Sequence, residues 1–189
     1  MNLRNLSLLA CLLAVLPGCV PLIAATGIGV GVMVVEDRRS AGTQLEDQTI
    51  ETKASGRIQD KHGDRAHVSV TSYNRWVLLT GEVPSDEIRQ DVTSLVLAVP
   101  NVRNVANEIS IAGVTSFGSR SNDSILTTKV KSRLVSAKGV SANNVKVVTE
   151  NGVVYLMGLV TRKEAEAATD TTATTAGVQR VVKVFEYLD

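Results

Sequence analysis

The sequence reads as an α+β protein built from two tandem copies of one helix-strand-strand-helix-strand module. Three alignments within the chain carry that reading. "DQTIETKASGRI" at 47–58 aligns with "DSILTTKVKSRL" at 123–134, an offset of 76 that superposes an aspartate, a threonine, a lysine and an arginine. "VSVTSYNRWVLLTGEV" at 68–83 aligns with "VKVVTENGVVYLMGLV" at 145–160, where Val77/Val154, Leu79/Leu156, Gly81/Gly158 and Val83/Val160 pair. "NVRNVANEISI" aligns with "GVQRVVKVFEY", again 76 residues apart. Self-similarity at a fixed offset marks one supersecondary unit used twice.

The elements follow in chain order. Arg4 and the terminal amine precede an eleven-residue apolar core at 6–16, the layout of a secretory signal. That core is shorter than the roughly 20 residues a spanning helix needs, and Pro17-Gly18 breaks it. Residues 5–35 carry no charge, but Pro21, Gly27, Gly29 and Gly31 interrupt the second half. A signal-anchor is the alternative, because glycine and proline do occur in membrane helices. Leu16-Pro17-Gly18-Cys19 resembles a bacterial lipobox. In that motif the cysteine thiol takes up diacylglycerol as a thioether and becomes the first residue. Cys11 would leave with the signal, and one remaining cysteine cannot form an internal disulfide. Val20 is not the aspartate that retains many such lipoproteins at the inner membrane. The resemblance therefore implies the periplasmic face of the outer membrane of a Gram-negative cell.

These signals divide the chain into a signal peptide at 1–18 and a lipidated terminus and tether at 19–45. A first module at 46–114, a linker at 115–122 and a second module at 123–189 follow. As a coil, the tether spans roughly 30 Å, or about 85 Å extended. Within the modules, Val68 and Val70 alternate with polar neighbours, as in a half-buried strand. Asn151-Gly152 separates two apolar runs and signals a hairpin, because both residues tolerate positive φ. Gly81 and Gly158, late in the second strands, mark a bulge or close packing against a neighbouring backbone. Ile88, Val92, Val96 and Val99 recur at helical spacing; the second copy has Ala165, Ala168, Ala173 and Ala176 there. "TDTTATTA" at 169–176 has poor helix propensity and must rely on tertiary packing.

This arrangement resembles the BON (bacterial OsmY and nodulation) domain, twice. "DRRSAGTQLED" at 37–47, "SNDSILTTKVKSRL" at 121–134 and "VKVVTENGVVYLMGLVTRKEA" at 145–165 are similar to the dual-BON-domain outer-membrane lipoproteins. The resemblance implies a three-stranded mixed sheet packed on two helices in each domain. It also implies phospholipid binding, support of envelope integrity and no catalysis.

The residues themselves offer little to an enzyme. The histidines are His62 and His67, and no metal ligands cluster at the spacings zinc needs. "GIGVG" at 27–31 does not follow a strand within a βαβ unit, so it fails as a dinucleotide loop. No catalytic residue, metal, cofactor or small-molecule substrate is expected. Nucleic acid is not expected either: 20 Lys+Arg against 19 Asp+Glu, with 3% aromatics, supplies neither a basic field nor a stacking surface. Asn122-Asp123-Ser124 matches a glycosylation acceptor, but Asp123 or Ser124 as a helix cap explains it better.

The candidate site is the first helix of the second module. Projected at 100° per residue, Leu126, Val130, Leu134 and Ala137 form a core stripe. Opposite lie Ile125, Thr128, Ser132, Val135 and Ser136, uncharged, with Lys129 on one flank and Lys131 and Lys138 on the other. An apolar ridge with basic flanks suits a helix lying in a membrane interface over anionic headgroups. The first module offers Thr49, Thr52, Gly56 and Gln59 instead. Its segment 46–61 is net −1 (Glu46, Asp47, Glu51 and Asp60 against Lys53, Arg57 and Lys61). Segment 123–138 is net +3 (Asp123 against Lys129, Lys131, Arg133 and Lys138). Packing of Ile125 and Val135 on the first module is the structural alternative. The expected partner is thus an anionic phospholipid membrane. The alternative function is a protein-interaction adaptor for envelope assembly or division machinery.

Overall fold

The computed structural model describes residues 37–113 and 117–189, with side chains from 37 to 113 and from 121 onward. Cys19, the signal peptide, the glycine run at 27–31 and most of the tether lie outside the described residues. The first module runs α1 (Ala41–His62), β1 (His67–Tyr73), β2 (Trp76–Val83), α2 (Asp86–Leu97), β3 (Asn104–Asn107) and β4 (Ser110–Ile111). The second runs α3 (Phe117–Ser136), β5 (Val145–Glu150), β6 (Val153–Val160), α4 (Arg162–Ala173) and β7 (Arg180–Tyr187). Each sheet is mixed: β1 pairs antiparallel with β2, and β3 and β4 pair parallel with it. In the second sheet β5 is antiparallel and β7 parallel to the central β6.

Local chemistry accounts for most boundaries. Asn74 and Arg75 (φ 52° and 64°) and Asn151 and Gly152 (φ 49° and 74°) turn the two hairpins with positive φ at both positions. The turn residues differ, but the geometry repeats. Ser85 caps α2 by accepting from Ile88 N, and Thr161 with Glu164 forms a reciprocal capping box on α4. In α4 the buried stripe is Ala165, Ala168 and Thr172, whereas Ala173 and Ala176 are exposed. The expected alanine face is therefore corrected. Thr172 tolerates burial because its hydroxyl donates to Ala168 O at 2.8 Å.

Two helices begin before the expected first residue of their module. Helix α1 begins at Ala41, inside the expected 19–45 tether, because Ser40 caps it by accepting from Thr43 N. Helix α3 begins at Phe117, inside the expected 115–122 linker. Asp123 is consequently no helix cap. It lies within α3 and accepts from Asn151 N and Gly152 N, both at 2.9 Å, fastening the helix to the hairpin turn. Asp47 does the same in the first module, accepting from Asn74 N and Arg75 N at 2.9 and 2.7 Å. The repeated aspartate is thus a helix-to-turn staple.

The third strand of the first sheet is broken. Asn107 Oδ1 accepts from Ile109 N, turning Ile109 into the core before pairing resumes at Ser110. Its counterpart β7 pairs along eight residues without a break.

Glycine is required late in both central strands. A Cβ on Gly81 would lie 2.1 Å from His67 O, and one on Gly158 2.2 Å from Asn144 O. Each module has its own core, around Val77 and Leu79 in the first and Val154 and Leu156 in the second. A third cluster lies between the modules: Tyr73 and Leu78 pack with Tyr155, Met157, Leu159 and Val184. These residues occupy the sheet faces turned away from the helices, so the sheets stack face to face with helices outermost. Asn151 Nδ2 donates to Glu82 Oε1 at 2.9 Å, and Lys146 pairs with Glu51 at 2.9 Å across the same junction. Both central strands are buried from their second residue onward because both faces are covered.

Candidate functional site

Packing of α3 sets the site. Leu126 (6% exposed), Val130 (0%) and Leu134 (1%) face inward, each contributing about 2 kcal/mol through burial. Ala137 lies just past the helix end and is half-buried. Because the helices flank the sheet opposite the junction, the outer face of α3 points away from the first module. Ile125 is 55% and Val135 74% exposed, so neither packs on that module. Thr128, Lys129, Lys131 and Ser132 share this exposed surface. Lys138 is exposed too, but lies in the turn beyond Ser136. The structure thus brings the sequence-predicted site residues onto one side of the second module, with Lys138 displaced from the helix.

Two details distinguish this face. The Thr128 hydroxyl donates to Ser124 O at 3.0 Å and the Ser136 hydroxyl to Ser132 O at 3.3 Å. Covering the ridge therefore leaves those hydroxyls hydrogen-bonded. Among the described residues, Lys129 and Lys131 form no ion pair, while Arg133 donates to Thr174 and Thr175. The helix's aspartate is committed to the hairpin turn. In the first module Lys61 is paired with Asp91 at 2.6 Å and Arg57 donates to Leu95 O. Leu45, exposed to 66%, is an apolar residue on α1 that the projection of the first module left out.

Sequence reasoning also missed the strap that enters the first helix. Arg38 donates to Leu159 O at 2.8 Å and forms a two-pronged pair with Glu164 at 2.7 and 3.0 Å. That pairing, chiefly the hydrogen bonds from Arg38, holds the Glu164 carboxyl down to about 2 from the ordinary 4.5. Arg39 bonds Asp37 and Asp47 and stacks 3.9 Å over the Tyr73 ring. Two adjacent arginines thus grip different modules. In sequence the "RRS" run at 38–40 reads as solvated surface, and only the fold shows its targets.

His62 pairs with Asp91 at 2.7 Å beside Lys61, tying α1 to α2. Among the described residues no His, Cys, Asp and Glu cluster converges to hold a metal, and no helix is long and apolar enough to cross a membrane.

Comparison with known proteins agrees with the fold. The BON domain matches residues 46–113 and again 122–189, nearly the whole of both modules. The chain belongs to the BON-domain family. Over 194 aligned residues it is 40% identical to outer membrane lipoprotein DolP of Haemophilus influenzae, covering all of both chains. A 21 kDa hemolysin of Actinobacillus pleuropneumoniae is 34% identical, over 80% of this chain and 79% of that protein. The osmotically-inducible protein Y of Escherichia coli is 25% identical, over 71% and 69%. The full-length match places this protein among the dual-BON outer-membrane lipoproteins of Gram-negative bacteria. None of these relatives bears an enzyme's name. In BON-domain terms, the exposed ridge belongs to the first helix of the second domain.

Proposed function

We propose that this protein is a non-enzymatic, lipid-anchored component of the outer membrane that docks on anionic phospholipid through its second BON domain and thereby supports membrane integrity. In this reading residues 1–18 are removed and Cys19 carries the lipid. The observation that carries the docking assignment is the outer face of α3. Ile125 and Val135 stand exposed on an uncharged ridge between lysines that, among the described residues, have no acidic partner. An interfacial helix needs modest apolar insertion with basic flanks. A tethered module also meets its own leaflet at a raised effective concentration, so a weak contact suffices.

Flotation of unlipidated protein with vesicles tests this. Vesicles containing phosphatidylglycerol should carry the protein upward, and neutral vesicles should carry much less. Equal indifference to both would reassign the ridge as a protein-binding surface of an envelope adaptor. For the anchor, intact mass of membrane-extracted protein should show a diacylglyceryl adduct on a chain beginning at Cys19. A main species retaining Met1 would overturn that part.

A further inference from the structure

The Lys129 flank of α3 opens into a cleft of about 540 Å³, walled on its far side by the Asn151-Gly152 turn and by Ala176, Gly177 and Gln179. Sites for small ligands typically span about 300–1,000 Å³. The Lys131 flank borders a smaller hollow of about 200 Å³ beside Val135. The two lysines, both exposed, therefore face different surroundings.

Two glycines keep the larger cleft open. A Cβ on Gly177 would lie 3.4 Å from Leu126 Cδ1, where φ is +104°, and one on Gly152 would meet Gln179 Nε2 at 2.7 Å. Lys129 brings a positive charge with no acidic partner among the described residues, and Asn122 and Gln179 bring carboxamide donors. The Asp123 carboxylate at the base already accepts one turn amide on each oxygen. Ile125 and Leu126 form an apolar wall continuous with the exposed ridge. One cation, amide donors and an adjoining apolar surface match the junction of a phosphodiester with its glycerol and acyl chains.

Resting on the lipid-docking reading above, we infer that this cleft receives the phosphodiester of a single phospholipid headgroup, with Lys129 as its counter-charge. The helix then binds one lipid at a discrete site in addition to lying on the surface.

The test uses unlipidated protein and two probes: short-chain dihexanoyl phosphatidylglycerol below its micelle-forming concentration, and phosphatidylglycerol vesicles. The short-chain lipid should shift the amide resonances of Gly152, Gly177 and Gln179 saturably, and inorganic phosphate should not. Ala176→Leu fills the cleft from an exposed position without altering charge, and should weaken both probes by about tenfold. Lys129→Ala should do likewise. Lys131→Ala should leave the short-chain lipid unaffected while weakening vesicle binding by about fivefold, the share of one lysine near an anionic surface. Gln179→Ala serves as the second cleft variant if Ala176→Leu does not fold. Wild-type vesicle binding by both cleft variants, with equal losses for the two lysine variants, would overturn the cleft and leave surface docking standing. Equal shifts from inorganic phosphate would overturn the lipid assignment. Failure of all proteins to bind vesicles would defeat the docking reading along with the cleft.

Discussion

Replacing Asp47 with asparagine should cost more stability than the same change at Asp123, although the two occupy equivalent positions in the repeat. Asp47 is 3% exposed and receives four donors. Ser72 Oγ and Arg75 N lie at 2.7 Å from Oδ1, and Asn74 N and Arg39 Nη1 at 2.9 Å from Oδ2. Asparagine keeps one acceptor oxygen and turns an NH₂ group toward the other pair of donors. Turned toward Asn74 N and Arg39, the NH₂ loses both bonds. Turned toward Ser72, whose hydroxyl can accept instead, it loses the Arg75 N bond and the carboxylate charge facing Arg39. In either case the two losses cost about 1.5–3 kcal/mol each, so about 3–6 kcal/mol in all. Asp123 receives one turn amide on each oxygen, so Asp123→Asn loses one such bond, about 1.5–3 kcal/mol. For a domain of this size about 1 kcal/mol lowers Tm by about 2–4 °C. Asp123→Asn should then melt about 3–12 °C lower. Asp47→Asn removes a large part of a total near 5–15 kcal/mol. The sole tryptophan, Trp76, follows the Asn74-Arg75 turn and reports on the first module. Urea titration by its fluorescence, beside far-UV circular dichroism, measures both variants. An Asp47→Asn loss no larger than that of Asp123→Asn, or losses under about 1 kcal/mol for both, would refute the staple argument.

Three further outcomes are expected. Lys129→Glu with Lys131→Glu should weaken binding to anionic vesicles by about 4 kcal/mol at low salt, because each change removes and then reverses about 1 kcal/mol. Ile125→Ser should cost about 1–2 kcal/mol and Lys53→Glu little, with added salt weakening the wild type; comparable loss from Lys53→Glu would contradict the placement on the second domain. Gly81→Ala should destabilise by about 3 kcal/mol through its clash with His67 O and its φ of +113°, whereas Gly56→Ala, with no neighbour within 4 Å, should stabilise α1 by about 1 kcal/mol in the same urea assay. The Glu164 carboxyl titrates lower when folded, so its contribution is complete above its ordinary 4.5 and is lost as pH falls toward about 2. Glu164→Gln should therefore cost about 1 kcal/mol at pH 7, after allowance for the part-exposed Arg38, and progressively less toward pH 2.5; a pH-independent cost would rule the ion pair out as its source.

The sequence by itself determined the two modules, the order of their elements and the inward stripe of the second module's first helix. The modules come from one pattern recurring about 76 residues on, and the rest from neighbours a few residues apart: apolar side chains recurring at the period of a helix or strand, and a turn dipeptide that tolerates positive φ. The outer ridge of α3 was legible for the same reason, since residues opposite a core stripe are free for another surface. Tertiary structure alone decided what covers the second face of each sheet. Both faces of "VVYLMGLV" are buried, and nothing in the run says that Tyr155, Met157 and Leu159 meet Tyr73 and Leu78 of the other module. It also decided that the repeated aspartate reaches a hairpin 27 to 29 residues away, where a local reading made Asp123 a cap. Arg38 found Glu164 across 126 residues, and Lys129 and Lys131 came to border unlike hollows. Such long-range pairings depend on which sheet faces stack and how the helices are carried with them. Charge and burial at those positions constrain what a partner must be, whereas only the packing supplies it.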